Sequence, residues 1–434
     1  MSRRRSILLD LGPLREFRDF RIVWLGQLVS NVGRQVTLVA LPYQLYILTR
    51  SPLAIGALAV VQLVPLLTIT LFGGAIADAV DRRRLLLLTQ SGLMVTSGCF
   101  AILATVATPP IVLIYLVALL AGIVSAVDQP ARSSAMYRLV PREQMGKTIA
   151  LAQAGFQLAS VTGPALGGVL IALLGLPVAY AVDSATFGVS VVALLFISPI
   201  PPIGQAARPG LAAVREGLRY VRQIPAILGT FVIDLDAMVF GLPVALFPIL
   251  AVDVYGVGAA GVGLMTSAVA AGALVGALLT GWVSRVRYQG RAVIWAVLAW
   301  GLAITLFGLV TFSFPLALLL LAAAGAADLV SAVFRGTILQ AGVPEHLRGR
   351  LSAIHLMVVT GGPRIGDLEA TGVAALVSTQ FSVVSGGVLC MLGVALVARR
   401  FPQLARYDGF AAARTEQEHA VGTETEAAGA APAG

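Results

Sequence analysis

The chain has 434 residues, of which 58% are hydrophobic and 12% are charged, and its net charge is +9. Soluble domains average about 25% charged residues, so this composition indicates that most of the chain lies in lipid. The positive charge does not indicate a nucleic-acid-binding protein, because the arginines are spread between apolar runs instead of forming one basic stripe.

The N-terminal segment, residues 1–20, opens with MSRRR and is interrupted by Gly12 and Pro13. It lacks the apolar run and the cleavage site of a signal peptide. We therefore expect a cytoplasmic segment that precedes the first membrane helix.

Twelve apolar runs follow, each close to the length of about 20 residues that a helix needs to cross a bilayer. The first six are predicted at 21–48, 52–77, 85–107, 109–136, 145–174 and 178–197. The second six are predicted at 226–252, 261–283, 292–312, 315–339, 351–378 and 381–397. The sequence thus predicts an all-α membrane protein with twelve transmembrane helices, six in an N-terminal half (21–199) and six in a C-terminal half (225–400).

The central loop, residues 200–224, contains a predicted amphipathic helix. Its apolar positions are Leu211, Val214, Leu218 and Val221, and its basic positions are Arg215, Arg219 and Arg222. Such a helix would lie on the anionic inner leaflet, where each arginine contributes about 1 kcal/mol. A calmodulin-like partner site is the alternative. Residues 401–434 are rich in Ala, Thr, Glu and Gly, which predicts a disordered cytoplasmic tail.

The basic residues predict which side of the membrane each loop faces, because short cytoplasmic loops accumulate Lys and Arg. Of the 30 basic residues, 27 fall in alternate segments, and only Arg34, Arg50 and Arg364 do not. Both termini and the central loop are therefore expected in the cytoplasm.

Two basic loops repeat at one spacing of 203 positions. GGAIADAVDRRR (73–84) aligns with GALLTGWVSRVR (276–287). Arg132 and VPREQMGK (140–147) align with Arg335 and VPEHLRGR (343–350). Two loops that agree on one spacing indicate a duplicated chain, as in membrane transporters whose halves are related by pseudo-twofold symmetry.

Over roughly residues 10–400 the chain resembles the major facilitator superfamily. The loop after the second helix looks like the cytoplasmic signature of that superfamily in Gly74, Asp78, Asp81, Arg82 and Arg83. Its DRRR form, with the segments SPLAIG, DQPAR, GPALGG and ALFP, resembles the enterobactin-exporter-like branch. The resemblance implies a secondary transporter with the major facilitator fold.

Asp78 ends a predicted helix in a partly dry interface, where it can accept from backbone amides or pair with Arg82 or Arg132. We expect a latch that holds the cytoplasmic side shut, as the resemblance also implies. The alternative is a basic loop that serves topology alone. The chain departs from the superfamily at Ala79, where a basic residue is usual. It also lacks an arginine midway along helix four, which argues against a standard proton relay there.

The fifth predicted helix contains GPALGG, with Gly163, Pro164, Gly167 and Gly168. Proline bends a helix, and flanking glycines admit a neighbouring helix at close range. The pattern resembles the helix-five signature of the superfamily's antiporters and so implies export. Close packing of small residues is the alternative interpretation.

Charged residues at membrane depth are the candidates for the substrate and proton pathways. Each costs about 2.5–3.5 kcal/mol on an insertion scale unless it faces the protein interior. They are Arg34, Asp234, Asp236, Asp328, Arg364, Asp367 and Glu369, with Asp183 near the outer end of helix six as a weaker candidate.

Arg34 has no acidic neighbour on its helix, so it suits an anionic or catecholate ligand. Asp234 and Asp236 point about 200° apart, so only one easily faces a cavity, and one of the two is the first candidate for the coupling proton. Arg364 and Asp367 share a helix face, and simple mutual neutralisation is an equal alternative to a pathway role.

Two further pairs, Asp128 with Arg132 and Asp328 with Arg335, share helix faces toward the cytoplasmic end. We assign these pairs to gating.

The sequence lacks the residues that other classes of membrane protein need. An ATP-driven pump needs a phosphate loop, but the glycine required upstream of GKT (146–148) is Pro141. An intramembrane enzyme needs a nucleophile with a base or a metal cluster. The histidines fall in a cytoplasmic loop, in the tail and, for His355, near the inner end of helix eleven. The two cysteines lie far apart inside apolar runs.

The sequence therefore predicts a secondary exporter of a small organic molecule, driven by proton antiport, with a siderophore-like metabolite as cargo. Multidrug or antibiotic efflux is the alternative, and a membrane sensor or scaffold that does not transport is a third reading. No catalytic residue, cofactor or metal site is predicted. The expected partners are the cargo, protons and anionic lipid, and a monomer is expected.

Overall fold

The structure, a computed structural model, describes residues 10–201, 219, 221–341 and 345–410, with the backbone alone at 70–79, 284, 340–341, 345–350, 352–353 and 356. Most of the predicted central helix, and most of the predicted tail, therefore lie outside the described residues. At the C-terminal end of the predicted central helix, Val221 is buried beside Ile227 and Phe231, whereas Arg219 and Arg222 are exposed.

The first half of the chain forms six long helices. They begin with α1 (Arg18–Thr49), α2 (Pro52–Ala79), α3 (Arg82–Thr105) and α4 (Ile111–Arg138). A long segment, Met145–Leu195, follows. Gly175 divides it into α5 (145–174) and α6 (176–195), because its φ of 82° is a left-handed conformation that interrupts a helix.

The second half also forms six long helices. They are α7 (Pro225–Phe240), α8 (Gly258–Leu278), α9 (Gln289–Leu309), α10 (Phe314–Ala341), α11 (Glu345–Leu376) and α12 (Thr379–Arg400). The seventh differs from its prediction, since 226–252 is not one uninterrupted helix. Pro243 has no amide hydrogen to donate, and after it the chain continues as a 3₁₀ turn (Val244–Leu246) and a π-helical turn (Leu250–Val254).

Local signals set several helix starts. The Asp81 carboxylate accepts from the Arg84 amide at 3.0 Å and caps α3, and Ser378 caps α12 in the same way. Pro52 opens α2 and Pro225 opens α7, at positions where a helix does not need the missing amide hydrogen.

Hydropathy agrees with a membrane protein. Within the described residues, nine segments are long and apolar enough to cross a bilayer, and one of them contains both α5 and α6. The less apolar helices α1 and α11, each of 32 residues, bring the number of long helices to twelve. The structure thus fits the predicted twelve-helix fold.

The helices pack as two similar groups. Among α1–α6 the closest packing is α1 on α5 and α6, α3 on α6 and α2 on α4, and α7–α12 pack among themselves in the same manner. The groups meet where α2 lies against α11 and α5 against α8. Helices α4 and α10 begin and end at positions exactly one repeat of 203 apart, so the spacing seen in the loops also describes the helices.

The bundle has two ends that differ in charge. We call one the arginine end; there α2 meets α3, α4 meets α5 and α8 meets α9, and the nearby basic residues include Arg82, Arg83, Arg84, Arg138, Arg142, Lys147, Arg285, Arg287 and Arg291. The opposite end, where α1 turns into α2, contains Arg50 and is called the Arg50 end.

Candidate functional site: charged clusters in the helix bundle

A buried cluster around Arg132 lies in the first half, near the arginine end. The Arg132 guanidinium binds the Asp128 carboxylate at 2.7 Å on the same helix and donates to the Asn31 side chain of α1 at 3.0 Å. Asp128 also accepts from Thr89 and Gln90 of α3, each at 2.7 Å. Asp128 is completely buried, and both its oxygens accept hydrogen bonds.

A matching cluster around Arg335 lies in the second half. The Arg335 guanidinium lies 2.9 Å from the Asp234 carboxylate of α7 and 3.7 Å from Asp328 of its own helix, and it donates to Ser331 at 2.8 Å. His355 of α11 places its Nε2 atom 3.3 Å from the other oxygen of Asp234. Asp234 and Arg335 are almost completely buried, whereas His355 and Asp328 are each about one-third exposed (35%).

The two clusters are equivalent in position but not in chemistry. Counted by the repeat of 203, Arg335 corresponds to Arg132 and Asp234 corresponds to Asn31, and Ser331 stands where the first half has Asp128. The carboxylate closest to the arginine therefore lies on the arginine's own helix in the first half, and on the first helix of the half, α7, in the second. In consequence an ion pair joins α7 to α10, whereas α4 is joined to α1 by a hydrogen bond from Arg132 to the uncharged amide of Asn31.

Arg34 lies on α1 in the interior and is half-buried. No described residue is in ion-pair or hydrogen-bond contact with it, although Arg132, Arg364, Asp128 and Asp183 act on it electrostatically. Arg132 already binds Asp128. Asp183, completely buried, accepts from Thr37 at 2.5 Å and Ser97 at 2.7 Å. The guanidinium of Arg34 therefore keeps its donors available for an anionic group.

The charged residues of α11 have different surroundings. Arg364 lies 3.3 Å from Asp367, and Asp367 also accepts from the Ala245 amide, 3.1 Å away in the turn after α7. This arrangement supports mutual neutralisation and a structural link between α11 and the broken part of α7. Glu369 is half-buried.

Asp236 lies on a different face of α7 from Asp234. A Cβ atom added to Gly393 of α12 would collide with the Asp236 carboxylate, so this side chain packs toward α12. Asp234 alone of the two joins the Arg335 cluster.

The signature loop serves as a set of helix-end anchors. Arg82, almost completely buried, donates to Ser134 at 3.2 Å, and Arg83 donates to the carbonyls of Leu194 and Leu195 at the end of α6, at 2.9 and 2.8 Å. Cations suit the last carbonyls of a helix. Gly74 and Asp78 are described by their backbone alone, so the predicted Asp78 latch stays a prediction.

The GPALGG motif lets α5 approach two helices closely. Cβ atoms on Gly163 and Gly167 would collide with Gln35 and Val36 of α1, and a Cβ atom on Gly168 would collide with the backbone of Ala259 in α8. Both alternatives considered for this motif, an antiporter signature and close packing, require these contacts.

At the Arg50 end, a cluster joins the two halves. Arg50 lies 3.3 Å from Asp253, at the end of the α7 segment, and the Tyr46 hydroxyl donates to the same carboxylate. This contact was not predicted from the sequence. Two signals pointed to it, since Arg50 departs from the alternating charge pattern and Asp253 follows it by one repeat of 203.

Two ion pairs outside the membrane segments fasten the chain ends. Lys147 lies 2.7 Å from Asp10 and lowers the pKa of that carboxyl group, and Arg287 lies 2.7 Å from Asp408, which raises the pKa of the guanidinium. Lys147, Asp10 and Arg287 are each about half exposed, which limits what either pair contributes to stability, whereas Asp408 is mostly buried.

Comparisons with known proteins find similar chains along most of the sequence. Residues 10–426 match the family model described as transmembrane secretion effector. The enterobactin exporter EntS of Citrobacter koseri is 28% identical over 406 residues, which covers 92% of this chain and 97% of the exporter. EntS of Escherichia coli O157:H7 is 28% identical over 416 residues, which covers 94% and 100%.

Solved structures share the fold at low sequence identity. A bacterial homolog of the human lysosomal transporter Spinster, inward-facing and unoccupied, has a TM-score of 0.70 at 15% identity and covers 91% of this chain and 98% of its own. The nucleoside transporter NupG has a TM-score of 0.65 at 15% identity and covers 90% and 100%.

Proposed function

Because the chain belongs to the transmembrane secretion effector family of the major facilitator superfamily, we propose that it exports a small anionic, siderophore-like molecule by proton antiport. It is a multi-pass membrane transporter and not an enzyme. The relatives with 28% identity are named as exporters of enterobactin, which supports an organic metabolite as the cargo.

The observation that carries the proposal is Arg34, an interior cation with no bonded acceptor among the described residues. An unpaired charge at membrane depth is costly, so a site of this kind is stabilised when an anionic ligand binds. A cavity for lipophilic cations would be expected to present free carboxylates instead. Arg364 of the other half also acts on Arg34, so the ligand would lie between the two halves.

Transport proceeds by rocking the N-terminal half (21–199) against the C-terminal half (225–400). The Arg50 and Asp253 contact closes the Arg50 end in this structure. The loop with Asp78, the Arg132 cluster and Arg335 gate the arginine end. We place the arginine end, both termini and the central loop in the cytoplasm of a plasma-membrane protein, with the central loop on anionic lipid.

Protons supply the energy. One proton that moves through roughly 150 mV releases about 3.5 kcal/mol, enough to sustain a cargo gradient of about 300-fold. Carboxylates inside the bundle provide the groups that a coupling proton needs.

The proposal is tested by uptake into energised inside-out vesicles. A labelled catecholate siderophore and a lipophilic cationic drug are compared, each with and without a protonophore. We expect uptake of the siderophore that the protonophore abolishes. Arg34→Gln should reduce it by about tenfold or more, the effect of losing a hydrogen bond to a charged group.

Arg291→Gln is the matched control, because Arg291 is exposed and stacks on Tyr288 at the arginine end. It should leave uptake unchanged. Uptake of the drug alone would indicate that the protein is a multidrug efflux transporter. Uptake of neither compound would contradict the proposed cargo class.

A further inference from the structure

We infer that Asp234 is the site at which the coupling proton binds, that His355 delivers the proton, and that Arg335 is the cation that the proton displaces. The inference rests on the proposed proton antiport and deepens it. It assigns a role to His355, which the sequence placed near the inner end of helix eleven without a function.

The first argument is the charge of the Arg335 cluster. Asp234 and Asp328 carry two negative charges, and Arg335 carries one positive charge that it cannot lose as a proton. With a neutral His355, the cluster has an excess of one negative charge in a nearly dry place. One added proton makes it neutral, so the cluster is built to take up a single proton.

The second argument is hydrogen bonding, and the Arg132 cluster is the internal reference. Asp128 accepts aligned hydrogen bonds on both oxygens from Arg132, Thr89 and Gln90. No described residue donates a well-directed hydrogen bond to either oxygen of Asp234, whose partners are charges at contact distance. Protonation therefore costs few hydrogen bonds at Asp234, but several at Asp128.

The third argument is access. The Asp234 side chain is 1% exposed, and His355 beside it is 35% exposed. The imidazole can take a proton from water on one ring nitrogen and release the proton of its Nε2 atom to the facing oxygen of Asp234. One proton enters and one leaves, so the histidine returns to its neutral form.

Protonation has a defined mechanical effect. Neutral Asp234 no longer attracts Arg335, which retains Ser331 at 2.8 Å and Asp328 at 3.7 Å on its own helix. The ion pair between α7 and α10 is then lost, while α10 keeps its arginine satisfied. The first half has no such link to lose, because Asn31 is neutral; the proton therefore acts on the second half.

The groups that face Asp234 are Arg335 and Asp328 from α10 and His355 from α11. The nearest carboxylate on its own helix, Asp236, packs toward Gly393 of α12. The test must therefore separate Asp234 from Asp236 and Asp328.

Conservative substitutions can identify the protonated carboxylate without changing the charge of the cluster. In Asp234→Glu and in Asp328→Glu, Arg335 still has two carboxylates near it, so neither variant leaves the arginine unpaired. The carbonyl band of a protonated glutamic acid differs in frequency from that of a protonated aspartic acid, so the band shifts only when the residue that binds the proton is replaced.

The measurement is infrared difference spectroscopy of the full-length protein in lipid, between about pH 5 and pH 8. It detects the carbonyl band of a protonated carboxylic acid and needs no cargo. We expect the band in the unchanged protein and in Asp236→Asn, a shifted band in Asp234→Glu and an unshifted band in Asp328→Glu. An unshifted band in Asp234→Glu, a shifted band in Asp328→Glu, or loss of the band in Asp236→Asn would overturn the inference.

The role of His355 is tested by the rate at which the band develops after a pH jump. His355→Gln should slow it on the order of a hundredfold while its final amplitude is unchanged, because a proton relay is removed. An unchanged rate would show that His355 only fills space. A failure of the proposed cargo would appear in the vesicle uptake of the unchanged protein and would leave these spectra as they are.

Discussion

Arg50 and Asp253 occupy equivalent positions in the two halves, 203 residues apart, and they bind each other at 3.3 Å. A residue that contacts its own symmetry mate must lie at the pseudo-twofold axis. At the same end of the bundle, Gly56 abuts Thr371 and Gly168 abuts Ala259. These two contacts are equivalent, because Gly56 corresponds to Ala259 and Gly168 corresponds to Thr371 in the repeat of 203. The Arg50 end is thus closed by symmetric contacts plus one asymmetric ion pair.

Removal of the axial ion pair should open the Arg50 end. The two side chains are about half exposed (59% and 46%), so the pair contributes up to about 1 kcal/mol, to which the Tyr46 hydrogen bond adds. Asp253→Ala should therefore raise the rate at which a membrane-impermeant thiol reagent labels Thr371→Cys by about fivefold or more, because Thr371 is buried against Gly56 in the closed end. Asp408→Ala, which breaks the exposed pair with Arg287 at the other end, should leave labelling unchanged.

The close approach of α5 and α8 should not tolerate a side chain at Gly168. A Cβ atom there would collide with the backbone of Ala259 and Gly263, which cannot move aside as a side chain can. Gly168→Ala should cost about 1–3 kcal/mol in the closed state, so transport should fall about fivefold to a hundredfold while the amount of protein in the membrane stays normal. Gly372→Ala is the control, because no atom lies within 4 Å of its added Cβ. Equal transport by the two variants would contradict the prediction.

The Arg132 cluster should be the more rigid of the two arginine clusters. Asp128→Asn leaves Arg132 without its buried carboxylate, which costs about 3–5 kcal/mol and should lower the melting temperature in detergent by several degrees. The compensating change Asn31→Asp supplies the carboxylate from α1, as Asp234 does in the second half, and should restore most of the loss. A double variant no more stable than Asp128→Asn would show that the two clusters are not interchangeable.

The N-terminal segment should detach from the start of α5 in acid. Lys147 holds the pKa of Asp10 below its usual range, so this contact is present above that range and is lost as the pH falls through the lowered value. Hydrogen exchange at Gly12, whose amide also donates to Asp10, should therefore quicken only below about pH 4. In Lys147→Gln the increase should begin at a higher pH. No difference between the two proteins would contradict the assignment.

The sequence alone predicted the helices and the duplication, because long apolar runs and basic loops are local signals. It also predicted the pairing of Asp128 with Arg132, since residues four apart on a helix share a face. It did not predict that Arg335 binds Asp234 on another helix more closely than Asp328 on its own. That choice depends on how each helix is rotated about its axis, and a helix that is apolar on all sides gives little indication of its rotation.

His355 and Asp253 were missed for a related reason. Each acts through a partner on a distant part of the chain, and neither forms a local pattern with its neighbours in sequence. The repeat of 203 residues could have found both the axial pair and the exchange of Asn31 for Asp234, had it been applied to single residues inside the helices as well as to the loops.

The axial ion pair also determines which halves can assemble. Two copies of the first half, joined about the same axis, would place Arg50 against Arg50, and two copies of the second half would place Asp253 against Asp253. Like charges at that distance repel, whereas the native combination attracts. When the two halves are produced separately, a first half should therefore assemble with a second half in preference to another first half. Arg50 and Asp253, one residue from each half, account for this preference for a heterodimer.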